Sequence, residues 1–302
     1  MTATHEHLTP PTWRVRADLN LTLDRPRLMA ILNVTPDSFA DGGQLTSPSL
    51  AADAAQRAAD EGADVLDIGA ESTRPGARRI DASEQIRRAA PAIEAIRAAG
   101  VSLPISIDTT RTEVARAALD AGADAVNDVS GGTEDAGLLP LIAERGAGVI
   151  LMHRAAAPPE DQYSDRFNTE PDFGLAGVVA YVRTALGGYL DRARAAGIDA
   201  DAIVLDPGLG FGKSVQQNLD LIRGTPDLLT LGRPVLSALS RKSFVGRVSL
   251  DRDSAPSERL AGTLACSVRH WGLGARLFRV HDVAPHREAL AAAAAFEGAQ
   301  QA

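Results

Sequence analysis

An α/β fold, a single (β/α)8 TIM barrel behind a short N-terminal β-hairpin, is what the 302 residues predict. Eight short apolar runs alternate with helical segments rich in Ala, Arg and Glu. No break in composition divides the chain, so the repeating unit belongs to one body. Helix after helix also stops on the same phrase. Glu61-Gly62-Ala63-Asp64 and Ala121-Gly122-Ala123-Asp124 each end a helix on glycine and open a strand after a polar turn. A doubly wound sheet is the alternative, but no apolar run leads through a Gly-x-Gly-x-x-Gly turn into a helix.

In chain order, residues 12–24 alternate apolar and polar side chains around Asp18 and predict the hairpin. Strands are expected at 28–32, 65–68, 105–107, 125–127, 149–152, 203–205, 235–238 and 277–280. Helices are expected at 50–61, 82–99, 112–121, 138–144, 175–196, 218–229 and 257–271, with a last one at 285–296. The organisation is then a tail and hairpin over 1–24, one barrel over 25–297, and a frayed tail over 298–302. The polar stretch from Glu160 to Phe173 reads as a long mobile loop.

A net charge of -8 and a pI near 5.3 argue against a broad nucleic-acid footprint. Neither an apolar run of membrane-spanning length nor a signal-peptide core is present, so a cytoplasmic protein is expected. The single cysteine, Cys266, has no partner for an internal disulfide and sits in an apolar helical stretch with Val268 and Trp271. That stripe suits an interface between subunits or the core equally.

The chemistry concentrates where the strands end. At Val204-Leu205-Asp206-Pro207, proline stops the ladder and leaves Asp206 at the C-terminal edge, where barrels place their sites. Gly208, Gly210 and Gly212 then alternate with Leu209 and Phe211, baring backbone for close approach. Lys213-Ser214 invites a phosphate-loop reading, but that pattern needs glycine at 207, where Pro207 offers no amide. The other ends contribute Asn33, Asp67, Asp108-Thr109, Asn127-Asp128, His153, Ser240-Arg241-Lys242-Ser243 and Arg279-Val280-His281-Asp282. Any one of them has a bland role as an N-cap, a turn former or a rim histidine, and Asp67 could pair with a neighbouring base. Their recurrence at end after end needs mutual satisfaction or a ligand.

Asp108, Asn127 and Asp206 supply carboxylates and an amide suited to a flat heterocycle with a donor edge, such as a 2-amino-4-oxo pyrimidine ring. Lys242 can donate to the ring, and the Arg279 guanidinium can stack on its face. Asn33, Thr73, Arg74, Arg279 and His281 make an anion-binding group, and Asn33 offers an oxygen to a hard cation such as Mg²⁺.

Seven motifs carry a family resemblance: Asn-Val-Thr-Pro-Asp-Ser-Phe at 33–39 with Asp41-Gly42-Gly43, Glu-Ser-Thr-Arg-Pro-Gly at 71–76, Ser-Ile-Asp-Thr at 106–109, Asn-Asp-Val-Ser-Gly at 127–131, Asp-Pro-Gly-Leu-Gly-Phe-Gly-Lys at 206–213, Ser-Arg-Lys-Ser-Phe-Val-Gly at 240–246 and Arg-Val-His-Asp-Val at 279–283. In this order they resemble the dihydropteroate synthases. The resemblance implies condensation of 6-hydroxymethyl-7,8-dihydropterin diphosphate with p-aminobenzoate, releasing pyrophosphate, in a Mg²⁺-dependent homodimer. It implies pterin contacts at Asp108, Asn127, Asp206, Lys242, Arg279, Met152 and Phe211. Diphosphate would meet Asn33, Thr73, Arg74, Arg279 and His281, with the metal on Asn33. Aminobenzoate would meet Phe39, Thr73, Pro75, Phe211, Lys242 and Ser243, and the catalytic group would be Asp108, Lys242, Phe39, Asp41 and Arg74.

The sequence departs from that pattern twice. Ala70 replaces a second glycine, which a negative φ would tolerate, and Arg154 opens an altered 154–159 loop beside the pterin pocket. Two other readings share the barrel. A methyltetrahydrofolate:corrinoid methyltransferase domain has no use for the 35–39 loop or the Arg279/His281 group, and a non-catalytic paralogue would bind a pterin without releasing pyrophosphate.

Overall fold

The computed structural model describes residues 11–35 and 47–299. The hairpin pairs β1 (Thr12–Arg16) with β2 (Leu19–Thr22), antiparallel, with a register irregularity between Arg14 and Arg16. Its alternation has a clear destination. Trp13 and Val15 are buried against Met29, Val65, Ala125, Ile150, Val204, Leu236 and Leu277, the interior residues at the N-terminal end of the barrel. Trp13 Nε1 donates to the Ala202 carbonyl at 3.0 Å, so the indole loses no hydrogen bond on burial.

Eight parallel strands follow: β3 (Arg27–Asn33), β4 (Val65–Gly69), β5 (Ile105–Asp108), β6 (Ala125–Asp128), β7 (Gly148–Met152), β8 (Ile203–Asp206), β9 (Leu236–Ser237) and β10 (Leu277–Val280). They run in the order β8-β7-β6-β5-β4-β3-β10-β9. The barrel closes through a parallel bridge between Leu205 and Val235, reinforced by Leu205 N–H donating to the Pro234 carbonyl at 2.9 Å. The expected barrel and hairpin are both present.

The outer ring holds α1 (Pro48–Glu61), α2 (Ala82–Ala98), α3 (Thr112–Asp120), α4 (Leu138–Arg145), α5 (Gly177–Ala195), α6 (Val215–Arg223), α7 (Thr225–Leu229), α8 (Ser243–Leu250), α9 (Leu260–Gly272) and α10 (Val283–Ala299). Three differ from expectation. The single helix expected at 218–229 is two, parted at Gly224, and the first begins earlier because Ser214 and Gln217 form a capping box. Residues 256–259 are a 3-10 turn that precedes α9. Helix α8 escapes a propensity reading because Val245, Gly246 and Val248 are weak helix formers. Gly246 is nevertheless needed there, since a Cβ would lie 2.3 Å from Ser254 Oγ. In α9, Trp271 is buried and Cys266 and Val268 pack against the core. The last helix reaches Ala299, two residues into the expected tail, and 1–10 and 300–302 lie outside the described residues.

The twin Gly-Ala-Asp phrases form twin clamps at the base of the barrel. Gly62 and Gly122 take φ of 98° and 108°. Asp64 then accepts from Leu28 N at 2.9 Å and from Arg25 and Arg27, while Asp124 accepts from Ile105 N at 2.8 Å and from Arg16 and Arg97.

Candidate functional site

At the opposite, C-terminal end of the strands, the polar residues meet one another. The parallel register sets Asp67 beside Ser106, and Asp108 beside Asn127, on neighbouring strands. Asp67 is the hub: Ser106 Oγ donates to one oxygen, while Arg279 Nε at 2.5 Å and Asn127 Nδ2 at 3.2 Å donate to the other. Arg279 Nη2 donates to Asp108 Oδ2 at 2.9 Å. A base pairing with Asp67 was expected; its identity as Arg279, 212 positions away, was not.

Asp108 Oδ1 is buried with no hydrogen-bond partner. A native interior rarely leaves a carboxylate oxygen so, which marks it as an acceptor for something that enters the mouth. Burial raises the Asp108 carboxyl to about 7, against the pull of Arg279. Asp206 is likewise raised by burial and opposed by Lys242, and its Oδ1 accepts from Gly208 N at 2.7 Å. Beside these acids Val129, Met152 and Phe211 form a small apolar cluster, the flat wall that a ring would need.

Lys242 closes the other side. Its Nζ donates to the Leu209 carbonyl and lies 4.4 Å from the centroid of Phe211, and burial lowers its ammonium to about 8. It is aimed by Arg241, a left-handed residue with φ of 58° whose guanidinium pairs with Asp282 at 2.6 Å. Ser240 Oγ meets the His281 backbone N–H at 3.2 Å and Nδ1 at 3.0 Å. Burial, then Arg241, Arg279, Arg74 and Lys242, hold the His281 imidazole well below its usual pKa, so it is neutral at pH 7. Four cations gather around one neutral imidazole, and although Asp282, Asp67 and Asp108 pair with two of them, this concentration of positive charge suits an anion.

Asn33 ends β3, and its Oδ1 lies over Gly69, where a Cβ would come within 2.9 Å. Among the described residues no cluster of three His, Cys, Asp or Glu side chains could cage a metal. A Mg²⁺ ion keeps most of its waters and takes one or two protein oxygens plus substrate phosphates, and a single amide oxygen beside an anion pocket fits that donor set.

Thr73 and Pro75 are half-buried and Arg74 is exposed on the loop after β4. That loop is fixed by Gly76 N–H to the Pro158 carbonyl at 2.7 Å, and by Glu71, which accepts from Ile80 N and from Arg79. Arg79 and Arg154 both reach Glu134, at 2.7 and 2.6 Å, so the altered 154–159 loop is tied to its neighbours. Ser243 is buried at the first position of α8. Phe39 and Asp41 lie outside the described residues. Ala70 has no positive φ, so its methyl group is accommodated.

Two expectations are corrected. The segment to Phe173 is packed: Asp161, Ser164 and Phe173 are buried, and Glu170, Ser164 and the Pro171 carbonyl bond Ser214, Asn218 and Gln217. His153 is not a hydrogen-bonded rim residue. Strand alternation turns its ring outward against Phe173 and Tyr181, centroids 6.5 and 5.8 Å away, and leaves Nδ1 without a partner. The sequence offered Lys213 only as a phosphate-loop candidate; the structure instead buries it fully beneath the glycine loop.

Comparison with known proteins agrees with this geometry. Residues 29–281 match the family described as pterin binding enzyme. The dihydropteroate synthase of Synechocystis sp. is 44% identical over 259 residues, covering 86% of each chain. The structure of Xanthomonas albilineans dihydropteroate synthase with 4-aminobenzoic acid superposes with a TM-score of 0.84 at 42% identity, over 96% of this chain and 99% of that one. The same organism's enzyme in complex with 7,8-dihydropteroate gives 0.80 at 39%, over 95% and 99%.

Proposed function

The chain belongs to the pterin binding enzyme family as a dihydropteroate synthase, a transferase of folate biosynthesis, and we propose that its strand-end residues carry the reaction by a dissociative route. The substrates in this reading are 6-hydroxymethyl-7,8-dihydropterin diphosphate and p-aminobenzoate. The observation that carries it is Asp108 Oδ1, buried and unpartnered among the described residues, beside Asn127 on the next strand and with Asp206 three strands away.

The pterin's amino-pyrimidine edge donates to Asp108 and Asp206 and meets the Asn127 amide, its ring rests on Met152 and Phe211, and Lys242 donates to its carbonyl side. Arg279, held by Asp67 and Asp108, presents its plane to the ring and its charge to the diphosphate. Asn33, Thr73, Arg74 and His281 complete the anion pocket. Asn33 would hold a Mg²⁺ ion, which would supply positive charge to offset that of the leaving group.

The bond between the pterin methylene carbon and the diphosphate oxygen breaks first, its electron pair leaving with pyrophosphate. Arg279 and His281 stabilise that developing charge from fixed positions. The methylene cation left behind is delocalised into the ring, where Asp108 and Asp206 oppose it. The aminobenzoate nitrogen then attacks, forms the carbon–nitrogen bond and loses a proton to solvent or pyrophosphate. Arylamines are neutral at pH 7, so no general base is required. Thr73, Arg74 and Pro75 help shut water out, with Ser243 and Phe211 bordering the aminobenzoate, and the family resemblance assigns Phe39 and Asp41 to the same task.

A cytoplasmic homodimer belongs to the same reading, supported by the family resemblance and by the solitary Cys266. No helix among the described residues is long and apolar enough to cross a membrane. Pyrophosphate release with Mg²⁺ and both organic substrates, omitting each in turn, tests the proposal. Release that requires both and disappears in Asp206→Ala is expected. Pterin binding without release would instead identify a non-catalytic paralogue.

A further inference from the structure

The glycine loop that follows β8 is built around a second lysine. Gly208, Gly210 and Gly212 take φ of 68°, 81° and 65°, so alternate residues are left-handed. Their amides point to side-chain acceptors: Gly208 N to Asp206 Oδ1 at 2.7 Å, Gly210 N to Asn218 Oδ1 at 2.6 Å, and Gly212 N to Asp161 Oδ2 at 3.1 Å. Carbonyls converge the other way. Those of Phe211, Gly208 and His153 lie 2.8, 2.9 and 3.3 Å from Lys213 Nζ, which is fully buried and uses its three donors on them. No carboxylate bonds it directly. Three inward carbonyls form a cage of the kind that holds a monovalent cation; burial lowers the Lys213 ammonium to about 7, Asp206 and Asp161 oppose that shift, and below that pH the protonated lysine is the cation in the cage.

We propose that Lys213 is a positioning residue for the transfer reaction: its ammonium sets the conformation of residues 207–212, and through them the placement of Phe211 and Lys242 against the substrates. The link to Lys242 is direct, since Lys242 Nζ donates to the Leu209 carbonyl and packs over Phe211 in the same loop. The link to the β7 loop is equally tight, because a Cβ on Gly208 would lie 1.7 Å from the His153 carbonyl oxygen. Removing the charge frees three buried carbonyls at once, and the loop must move to rehydrate them. A shift of about 1 Å at a positioning element can cost on the order of a hundredfold in rate.

The inference rests on the synthase reading, and wild-type pyrophosphate release under the same conditions tests that reading separately. Lys213→Met keeps the length and removes the charge, and Lys213→Ala leaves a cavity that n-propylammonium can refill. Measured per folded molecule, well below the melting temperature, Lys213→Met is expected to lose roughly ten- to a hundredfold in kcat/KM, with weakened pterin binding in calorimetry. Addition of n-propylammonium to Lys213→Ala is expected to restore part of the loss, and n-propanol is not. A folded Lys213→Met with wild-type kcat/KM overturns the proposal. A variant-free measurement covers failure to fold. In ¹⁵N-labelled wild-type protein the Lys213 ammonium protons should exchange slowly, and their resonance should move when the dihydropterin diphosphate binds. A resonance that exchanges at the rate of surface lysines, or ignores the ligand, would sink the idea.

Discussion

Arg279 and Asp108 share a hydrogen bond of 2.9 Å through Asp108 Oδ2, while the other oxygen of the same carboxylate has no partner among the described residues. One oxygen is thus committed to holding the arginine, and the other is kept for a ligand. Asp108→Asn should keep the neutral shape and lose the charge that opposes the pterin cation. Affinity for the dihydropterin diphosphate is expected to stay within about tenfold, while kcat falls on the order of a hundredfold or more. Equal losses in calorimetry and turnover would argue that Asp108 only binds.

Lys242 sets the alkaline side of the pH profile. Burial lowers its ammonium from 10.5 to about 8, and Asp206 opposes the shift. The protonated form therefore prevails below about 8 and is lost above it, so kcat/KM should decline beyond that point, while the Asp108 carboxyl, raised by burial to about 7, sets an acid limb below it. Asp206→Asn removes the opposing charge, and the alkaline limb should move to lower pH in whatever activity remains. Stability follows the reverse sign. Between about 8 and 10.5 the unfolded chain holds more protons on this lysine than the folded one, so its contribution to stability rises with pH across that window.

The base of the barrel carries stability without touching chemistry. Asp124 is buried, accepts from the Ile105 amide at 2.8 Å and pairs with Arg97 at 2.5 Å and Arg16 at 2.6 Å. Asp124→Asn leaves two guanidinium groups short of their counter-charge, and the expected cost in urea denaturation is about 2–4 kcal/mol. Because Asp124 precedes β6 while the site lies at its far end, kcat/KM should be unchanged at temperatures where the variant is folded.

Two glycines of like conformation should respond differently to the same methyl group. Gly208 and Gly232 have φ of 68° and 71°, but a Cβ on Gly208 would strike the His153 backbone, whereas nothing lies within 4 Å at Gly232. Gly232→Ala should cost about 1–2 kcal/mol, the strain of a left-handed alanine alone. Gly208→Ala should cost more than about 4 kcal/mol or rearrange the loop, with loss of pterin binding. Comparable melting temperatures for the two would contradict the tight approach of the β7 and β8 loops.

The barrel was legible because it rests on period and punctuation, which are local. Val149 to Met152 or Leu277 to Val280 announce a buried strand without knowledge of any neighbour. The Asp108, Asn127 and Asp206 edge was legible because residue type and strand end coincide. What escaped depends on distance in sequence. Nothing local says that Arg279 pairs with Asp67, or that Lys213 turns inward to three carbonyls and not outward to water. Helix α8 was hidden for a related reason: Gly246 opposes a helix on propensity, yet is required by the approach of Ser254 and Arg259. The packing of residues 161–173 was hidden too, since Asp161 and Ser164 look like solvated loop residues until Gly212 and Asn218 are placed against them.

The hairpin at the start of the chain has a consequence for traffic. With Trp13 and Val15 seated under Met29 and Val65, the lower end of the barrel is stoppered, and every small molecule must come and go by the upper door. The acid-amide-acid edge lies on strands at the wall of that mouth, with Lys242, Arg74 and the outer loops nearer its lip. A ring lodged against the edge is overlain by whatever arrives next. In the proposed reaction a pterin held at that edge would enter before the aminobenzoate, and neither would leave by the back.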